Sequence, residues 1–367
     1  MFIRLFVDMK LYLSFFIILL FSSCANMVAP TGGDKDVSSP SLLQINSTEN
    51  VKKVHEKIIS FEFDEFIVLN SWEENFYISP PIKKRILKEI KGTTLTLTLE
   101  DTLAQNTTYH IALNKCIKDL NEGNILDTLQ YIFSNADEID TLTLNGKLKD
   151  AYTLDAIENA WIMLFEESRN DSTIFKDTPN YIAKTDKEGN FNFPNLNAQN
   201  YNIVALTDFD FIYNEEEKIA FNDTIINAVR DSFISLLAFN PIVEIDSTTN
   251  DTLTIIADST TTDSLLTEEI VYGNLAIITS KKSPCIFQIL QNNKVIKEYV
   301  FVEQPFLLTD ITPGKYQLKY IADSNMDGEW TTGHFESKTQ AEQVINYPTE
   351  ITIRANWDLE LEWLIEE

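Results

Sequence analysis

Asp323, Asn325 and Asp327 stand at alternate positions ahead of Gly328, with Glu329 and Trp330 following. Alternating oxygen-bearing side chains before a glycine are how a calcium loop begins: the ion needs six to eight oxygens, and the glycine permits the sharp turn. The twelfth position of such a loop, where a bidentate glutamate would close the shell, is His334. Glu329 or Glu336 would have to supply the missing oxygen. The expectation is therefore a structural Ca2+ on Asp323, Asn325, Asp327 and Glu329, set against an Asx-rich hairpin turn that binds nothing. A weaker version of the same pattern, Asp208, Asp210 and Asn214 ahead of Glu215–Glu217, has acids but no glycine. Catalytic chemistry has no comparable foothold. There is no G-x-S-x-G, H-E-x-x-H, Walker loop, C-x-x-C or dinucleotide fingerprint. Glu62 and Asp64 alternate on a strand facing solvent and do not read as a glycosidase pair. The three histidines, His55, His110 and His334, are scattered, and no Cys or His pair has zinc spacing. The expectation is a protein that is not an enzyme.

Cys24 offers a different chemistry. Arg4 and Lys10 precede an apolar run, Leu11–Phe21, too short to span a bilayer but the right length for a signal segment. Ser22, Ser23 and Cys24 follow at once and resemble a lipobox, which implies cleavage before Cys24 and acylation of its thiol. Several acyl chains are needed because each buried methylene contributes about 0.8 kcal/mol and one chain anchors only marginally. Residues 1–23 then form a lipoprotein signal peptide. Residues 24–40, with Pro30, Gly32, Gly33 and Pro40, form a flexible stalk.

The formal charge of −27 works against a nucleic-acid partner and against adhesion to an anionic membrane by charge, so lipid must do the anchoring. Aromatics at 11% are enough for real cores. Cys116 and Cys285 lie far apart. Two buried thiols are the preferred reading, with one disulfide between domains left open.

Strands dominate the body. Lys57–Val68 is rich in Ile and Phe. Thr93–Leu99 alternates strictly, with Leu95, Leu97 and Leu99 facing inward. Thr107–Leu113 and Leu129–Ser134 follow, separated by turn signals. Phe191, Leu196, Tyr201 and Asp208 recur in order and at constant spacing as Phe306, Ile311, Tyr316 and Asp323, an internal repeat. Trp357, Leu359, Leu361 and Trp363 alternate as a closing strand with one apolar face. The fold class is all-β: tandem β-sandwich modules after a signal peptide and stalk.

Two resemblances sharpen this. Phe61, Asp64 and Glu65, then Leu103–Tyr109, Ile117-Lys118-Asp119 with Gly123-Asn124, and Ile132-Phe133-Ser134, resemble the S-layer-type bacterial Ig-like domain over residues 41–137. Ala29–Asp36, just ahead of it, further resembles Bacteroidetes lipoproteins that carry this domain first. The hairpins ending at Tyr201 and Tyr316 resemble the "L-x-x-G-x-Y" signature of carboxypeptidase regulatory-like, transthyretin-like sandwiches. That implies such modules over 143–244 and 271–367, joined by an acidic Ser/Thr-rich linker, 245–270. The same resemblance implies an Asp after Trp330 in the calcium-type loop, where this chain has Thr331. Asp-Ser/Thr steps in the linker resemble an O-glycosylation signal, at Ser247, Thr252, Ser259 and Ser264.

The function expected is a lipid-anchored outer-membrane scaffold or protein-interaction module, with an outer-membrane protein complex as partner. The alternative is a calcium-stabilised adhesin or glycan binder. The resemblance to Bacteroidetes lipoproteins implies that a surface-exported member would carry acids just after Cys24; Ala25 to Thr31 has none, which favours the periplasmic face over the cell surface.

Overall fold

The computed structural model describes residues 34–46, 58–100, 103–167, 177–207, 211–214, 216–241, 271–280 and 284–365. Cys24, Asp208, Asp210 and the linker positions Ser247, Thr252, Ser259 and Ser264 lie outside them, as does most of the stalk. No helix among the described residues is long and apolar enough to cross a membrane.

The first module contains β1 (Leu42–Ile45), β2 (Ile58–Phe63), β3 (Ile67–Leu69), β4 (Tyr77–Ser79), β5 (Ile86–Lys91), β6 (Thr94–Leu99), β7 (Thr108–Ala112), β8 (Ile117–Asp119) and β9 (Gln130–Ser134). Its only described helix is one turn, α1 (Trp72–Asn75). The main sheet runs β1-β2-β6-β5, the second β4-β7-β9, and β3 pairs with β8. The strict Thr–Leu alternation of β6 puts Leu95, Leu97 and Leu99 inside against Ile59, Phe61 and Phe63 of β2, and leaves its threonines at the surface side. Glu62 and Asp64 face solvent. The run Lys57–Val68, which composition suggests as one strand, is two. It breaks after Phe63, where Asp64 N–H turns to the Ser41 carbonyl and β3 leaves to pair with β8.

The second module is built of β10 (Leu142–Asp150), β11 (Trp161–Glu166), β12 (Tyr181–Lys184), β13 (Asn190–Leu196), β14 (Asn200–Leu206), β15 (Ile219–Phe221), β16 (Ile226–Asn227) and β17 (Phe233–Ala238). A three-stranded sheet, β13-β10-β17, faces a larger one, β12-β11-β14-β15, with β16 also on β14. The third module repeats this topology strand for strand: β18 (Gly273–Thr279), β19 (Cys285–Gln291), β20 (Lys294–Phe301), β21 (Phe306–Ile311), β22 (Gly314–Ala322), β23 (Val344–Asn346), β24 (Ile351–Ile353) and β25 (Asp358–Trp363). Its sheets are β21-β18-β25 and β20-β19-β22-β23, with β24 on β22. In both modules the first and last strands pair in parallel while the other neighbours are antiparallel.

The register repeats too. Tyr201 stands opposite Ile226, and Tyr316 opposite Ile351. Phe191 stands opposite Gly146, and Phe306 opposite Ile277. Each tyrosine is buried and reaches back over its hairpin: Tyr201 O–H donates to the Asn197 carbonyl at 3.3 Å, and Tyr316 O–H to the Thr312 carbonyl at 2.9 Å. The hairpin motif is thus a phenol tied to the turn four residues before it. Gly146 has no substitute, because a Cβ there would lie 2.1 Å from the Phe191 ring.

One detail differs from the sequence expectation: Trp357 precedes β25 and is 57% exposed, while Leu359, Leu361 and Trp363 turn inward. Cys116 and Cys285 are free and buried, as the preferred reading has them, and burial pushes both thiols up to about 12.

Candidate functional site

The Asp323 loop closes on itself. Asn325 Oδ1 accepts the Asp327 N–H at 3.1 Å, and Asp327 Oδ1 accepts the Glu329 N–H at 2.8 Å. Asp327 Oδ2 accepts from Asn325 Nδ2 at 2.8 Å and from the Thr331 hydroxyl at 3.1 Å. Asp323 Oδ2 accepts the Gly328 N–H at 3.1 Å, and Gly328 takes the left-handed φ of 77° that the turn requires. Glu342, which sequence inspection passes over, clamps the loop from outside: its two carboxylate oxygens accept Ser324 N–H at 2.6 Å and Thr331 N–H at 3.0 Å. Backbone donors hold the Asp327 carboxyl below the usual range, the Glu329 N–H first among them. Asp323, 1% exposed, keeps one oxygen, Oδ1, without a hydrogen bond.

Among the described residues no group of three or more His, Cys, Asp or Glu side chains converges to hold a metal. The geometry is that of an Asx-rich hairpin. In the second module Asn214 likewise spends its groups locally: its N–H donates to Glu217 Oε1 at 2.7 Å, and its Oδ1 accepts from Glu216 N–H at 2.9 Å.

What the loop does place is Trp330 and the strap that follows it. The Trp330 indole N–H donates to the Glu342 carbonyl at 3.0 Å, and its ring lies 5.0 Å from that of Tyr152, in the second module. Tyr152 is gripped from the third module twice more. Its hydroxyl donates to Gln288 Oε1 at 3.1 Å, and Lys319 Nζ donates to its carbonyl at 2.9 Å while sitting 4.0 Å over its ring. Lys319 is buried, and desolvation lowers its pKa. Asp150 shapes the Tyr152 turn by accepting Tyr152 N–H at 2.9 Å and Thr153 N–H at 2.8 Å on one oxygen, and Lys218 Nζ at 2.5 Å on the other.

The strap then crosses onto the second module. Gly333 packs so closely that a Cβ would lie 2.5 Å from the Phe239 ring and 2.8 Å from the Ala341 nitrogen. Phe335 is buried edge-on against Phe221 at 5.2 Å, and Gln340 Nε2 donates to the Phe221 carbonyl at 3.0 Å. This explains why β11 is buried on both faces. Ile162 and Leu164 enter the sandwich core, while Trp161, Met163 and Phe165 form an outer layer that Phe335 completes.

A second joint links the first module to the second. Tyr77 meets Trp161 edge-on at 5.6 Å, Ser79 Oγ accepts the Ile182 N–H at 2.9 Å, and Lys184 Nζ donates to the Glu74 carbonyl. Behind Tyr77, at 6.2 Å between rings, lies His110, buried, its ring nitrogens without hydrogen bonds among the described residues. Burial lowers its pKa, with the Gln130 side chain opposing weakly. A cleft of about 290 Å³ opens beside this joint, lined by groups of both signs including Lys115, Asp127, Glu158, Lys184 and Asp186.

Within the first module, buried Asp119 organises the turn between Ile117-Lys118-Asp119 and Gly123-Asn124. One oxygen accepts Glu122 N–H at 2.6 Å and Gly123 N–H at 2.8 Å, and the other accepts Asn124 N–H at 2.8 Å. Tyr109 O–H, closing the L-x-x-x-T-x-Y motif, accepts Ala104 N–H at 2.9 Å. Residues 36–135 match the bacterial Ig-like domain family. The sequence motifs had pointed to 41–137 for this Ig-like domain. No curated protein sequence matches the chain. Among solved structures, the minor pilin GBS52 of Streptococcus agalactiae shares 12% identity, with 61% of this chain and 95% of that one covered and a TM-score of 0.21. The N-terminal part of the S-layer protein SbsC shares 13% identity over 52% of this chain and 44% of that one, at a TM-score of 0.20. The major pilin subunit BcpA of Bacillus cereus shares 9% over 55% and 70%, at 0.19.

The Ig-like domain's turn yields a direct test. Asp119→Ala removes the buried carboxylate that accepts the N–H groups of Glu122, Gly123 and Asn124 and holds the turn. The variant is expected to melt several degrees lower than wild type by circular dichroism. Asp119→Asn, which keeps the shape and one acceptor, is expected to fall between. An unchanged melting point for Asp119→Ala would show that the turn stands without its carboxylate.

Proposed function

We propose that this chain is a non-catalytic scaffold of the bacterial cell envelope, anchored through lipid on Cys24 to the outer membrane on its periplasmic face and holding an outer-membrane protein complex as partner. The observation that carries this reading is how the modules are joined. Tyr152, Lys319, Trp330 and Phe335 lock the second and third modules, and Tyr77, Trp161 and Ser79 lock the first to the second. Loosely strung domains move independently by default. Buried aromatic and polar joints instead keep loops and sheet edges at set spacings, as a platform for other proteins requires. Buried titratable groups such as Lys319 and Asp150 are spent on these joints.

The second and third modules are read as carboxypeptidase regulatory-like sandwiches over 143–244 and 271–367, with sugars on Ser247, Thr252, Ser259 and Ser264 keeping the 245–270 linker solvated. The acidic surface fits covalent lipid as the anchor, because charge alone would hold the body away from an anionic bilayer.

The test is the native protein in its own cells. Wild type is expected to take up an alkyne-palmitate label, to sediment with outer membranes and to co-purify with membrane proteins in mild detergent. Cys24→Ser should lose the label and move to the soluble fraction. Wild-type protein recovered unlabelled and free in the medium would overturn the reading.

A further inference from the structure

The edge strand β5 of the first module bonds to β6 on one side, in a register that runs unbroken from Ile86 opposite Leu99 to Lys91 opposite Thr94. On its other side it pairs with no described strand. Its inward residues Ile86 and Ile90 stay half-buried, whereas Leu95, Leu97 and Leu99 beside them are sealed, so the core is open along this side. Leu87, on the outward face, is 47% exposed. A bare edge is a template for another strand, and lysines commonly guard it. Here the guard also selects by sign. Lys83, Lys84 and Arg85 lead into β5 and Lys91 ends it, in a chain of −27. The edges of the third module's smaller sheet carry acids instead, Asp310 on β21 and Asp358, Glu360 and Glu362 on β25. Bases that keep off an apolar strand attract an acidic one.

The chain contains such a strand. Residues 242–270, outside the described ones, hold no lysine or arginine, and within them Asp251 and Asp258 bracket Thr252–Ala257 (TLTIIA). That run follows the order of β6, Thr94–Leu99 (TLTLTL), with Leu253 and Ile255 at the inward places of Leu95 and Leu97. Set against the open side of β5 as β6 is set against the other, it brings Leu253 opposite Ile90 and Ala257 opposite Ile86 on the inward face. On the outward face Ile256 meets Leu87, and Thr252 meets Lys91 on the solvent side. Asp258 then follows beside Arg85. A slip of one residue would turn Leu253 and Ile255 outward. Ser247, Ser259 and Ser264 lie outside the run. Reach allows the pairing. Phe239, just before Pro241, belongs to the outer layer that Tyr77 joins, and α1, just ahead of Tyr77, places Trp72 under Lys88 of β5 at 4.7 Å. The stretch from Pro241 to Thr252 spans up to ~38 Å when extended.

We propose that Thr252–Ala257 pairs antiparallel with the open side of β5 in the same molecule, as a further strand of the first module's main sheet, so that the connection between the second and third modules returns to the first. The test uses the full chain in mild detergent. With Leu87→Cys and Ile256→Cys together, mild oxidation is expected to give an intramolecular disulfide, read by mass spectrometry of the linked peptides; Cys116 and Cys285 are buried and do not compete. Leu87→Cys with Thr254→Cys, displaced along the strand, should link about fivefold less. As an independent measurement, hydrogen exchange of wild type should be about tenfold slower over 252–257 than over 259–264. Ile255→Pro, which removes an N–H from the run, should lose that protection, and so should the double variant Arg85→Glu/Lys91→Glu. A disulfide formed only between two molecules, equal yields from the two cysteine pairs, or unprotected amides over 252–257 in wild type overturns the proposal. So does protection that survives in both variants.

Discussion

Phe335→Ala is expected to cost about 3–4 kcal/mol and to split thermal unfolding into separate steps. The ring fills the outer layer over β11, β14 and β15, where it meets Phe221 at 5.2 Å and Tyr213 at 6.1 Å, with Lys338 Nζ 3.8 Å over its other side. Truncation removes one wall of a layer that Trp161, Met163, Phe165, Val204 and Leu206 otherwise share. The strap is held at both ends, by Trp330 on Glu342 and by Gln340 on Phe221, so it cannot collapse freely to close the void. The second module loses its cover while the third keeps its own core, so the two should melt apart in calorimetry. Phe233→Ala, at an exposed ring, is the control and should change little. A single unshifted transition for Phe335→Ala would mean that the strap rests on the sheet without stabilising it.

Periodicity made the sandwich cores legible because it is local. Leu95, Leu97 and Leu99 declare one face by their spacing alone, and the shared order of Phe191, Leu196 and Tyr201 with Phe306, Ile311 and Tyr316 carries over into shared ladder positions. The joints between modules left no such trace. Tyr152 sits in a turn, Phe335 in an irregular strap and Glu342 just ahead of β23, so none belongs to a pattern of period two. Their partners lie far away in sequence. β11 did give a signal: Trp161–Phe165 is apolar without a break, the mark of a strand buried on both faces, although which segment covers it is a tertiary fact.

The Asp323 loop shows how a ligand motif and a structural turn share one alphabet. Oxygen donors at alternate positions before a glycine suit a cation, and they equally suit a turn whose own N–H groups need acceptors. Here Gly328, Asp327 and Glu329 N–H groups and the Thr331 hydroxyl bond Asp323 Oδ2, Asn325 Oδ1 and the Asp327 oxygens, Glu342 clamps the loop from outside, and Asp323 Oδ1 is left without a hydrogen bond. The product of that arrangement is the placement of Trp330 against Tyr152. The same loop positions a joint, in keeping with a molecule whose polar groups hold domains together.

Acidification is expected to weaken the joint between the first two modules. His110 is buried behind Tyr77, with Ser79 and Ile132 opposite it on the neighbouring strands and Gln130 close by; Tyr77 is the titratable ring against it. Burial depresses its folded-state pKa below the ordinary value of 6.5. The unfolded chain therefore binds a proton at a higher pH than the folded one does. Stability is full above 6.5 and falls as pH drops from there toward the folded pKa, by up to about 1.4 kcal/mol per pH unit for one group. Asp119, Asp150 and Asp327, whose pKa values lie below the usual 3.8, add their losses only at lower pH. Urea titrations between pH 7 and 5 should show this decline in wild type and a flat profile in His110→Phe, which fills the site with a ring that cannot take a proton. An equal slope in both would assign the decline to another group and leave His110 as plain packing. A protonated imidazole at this place finds no hydrogen-bond partner for its ring nitrogens among the described residues, so the charge falls beside the Tyr77–Trp161 contact that joins the modules, and that joint is where the loss should appear.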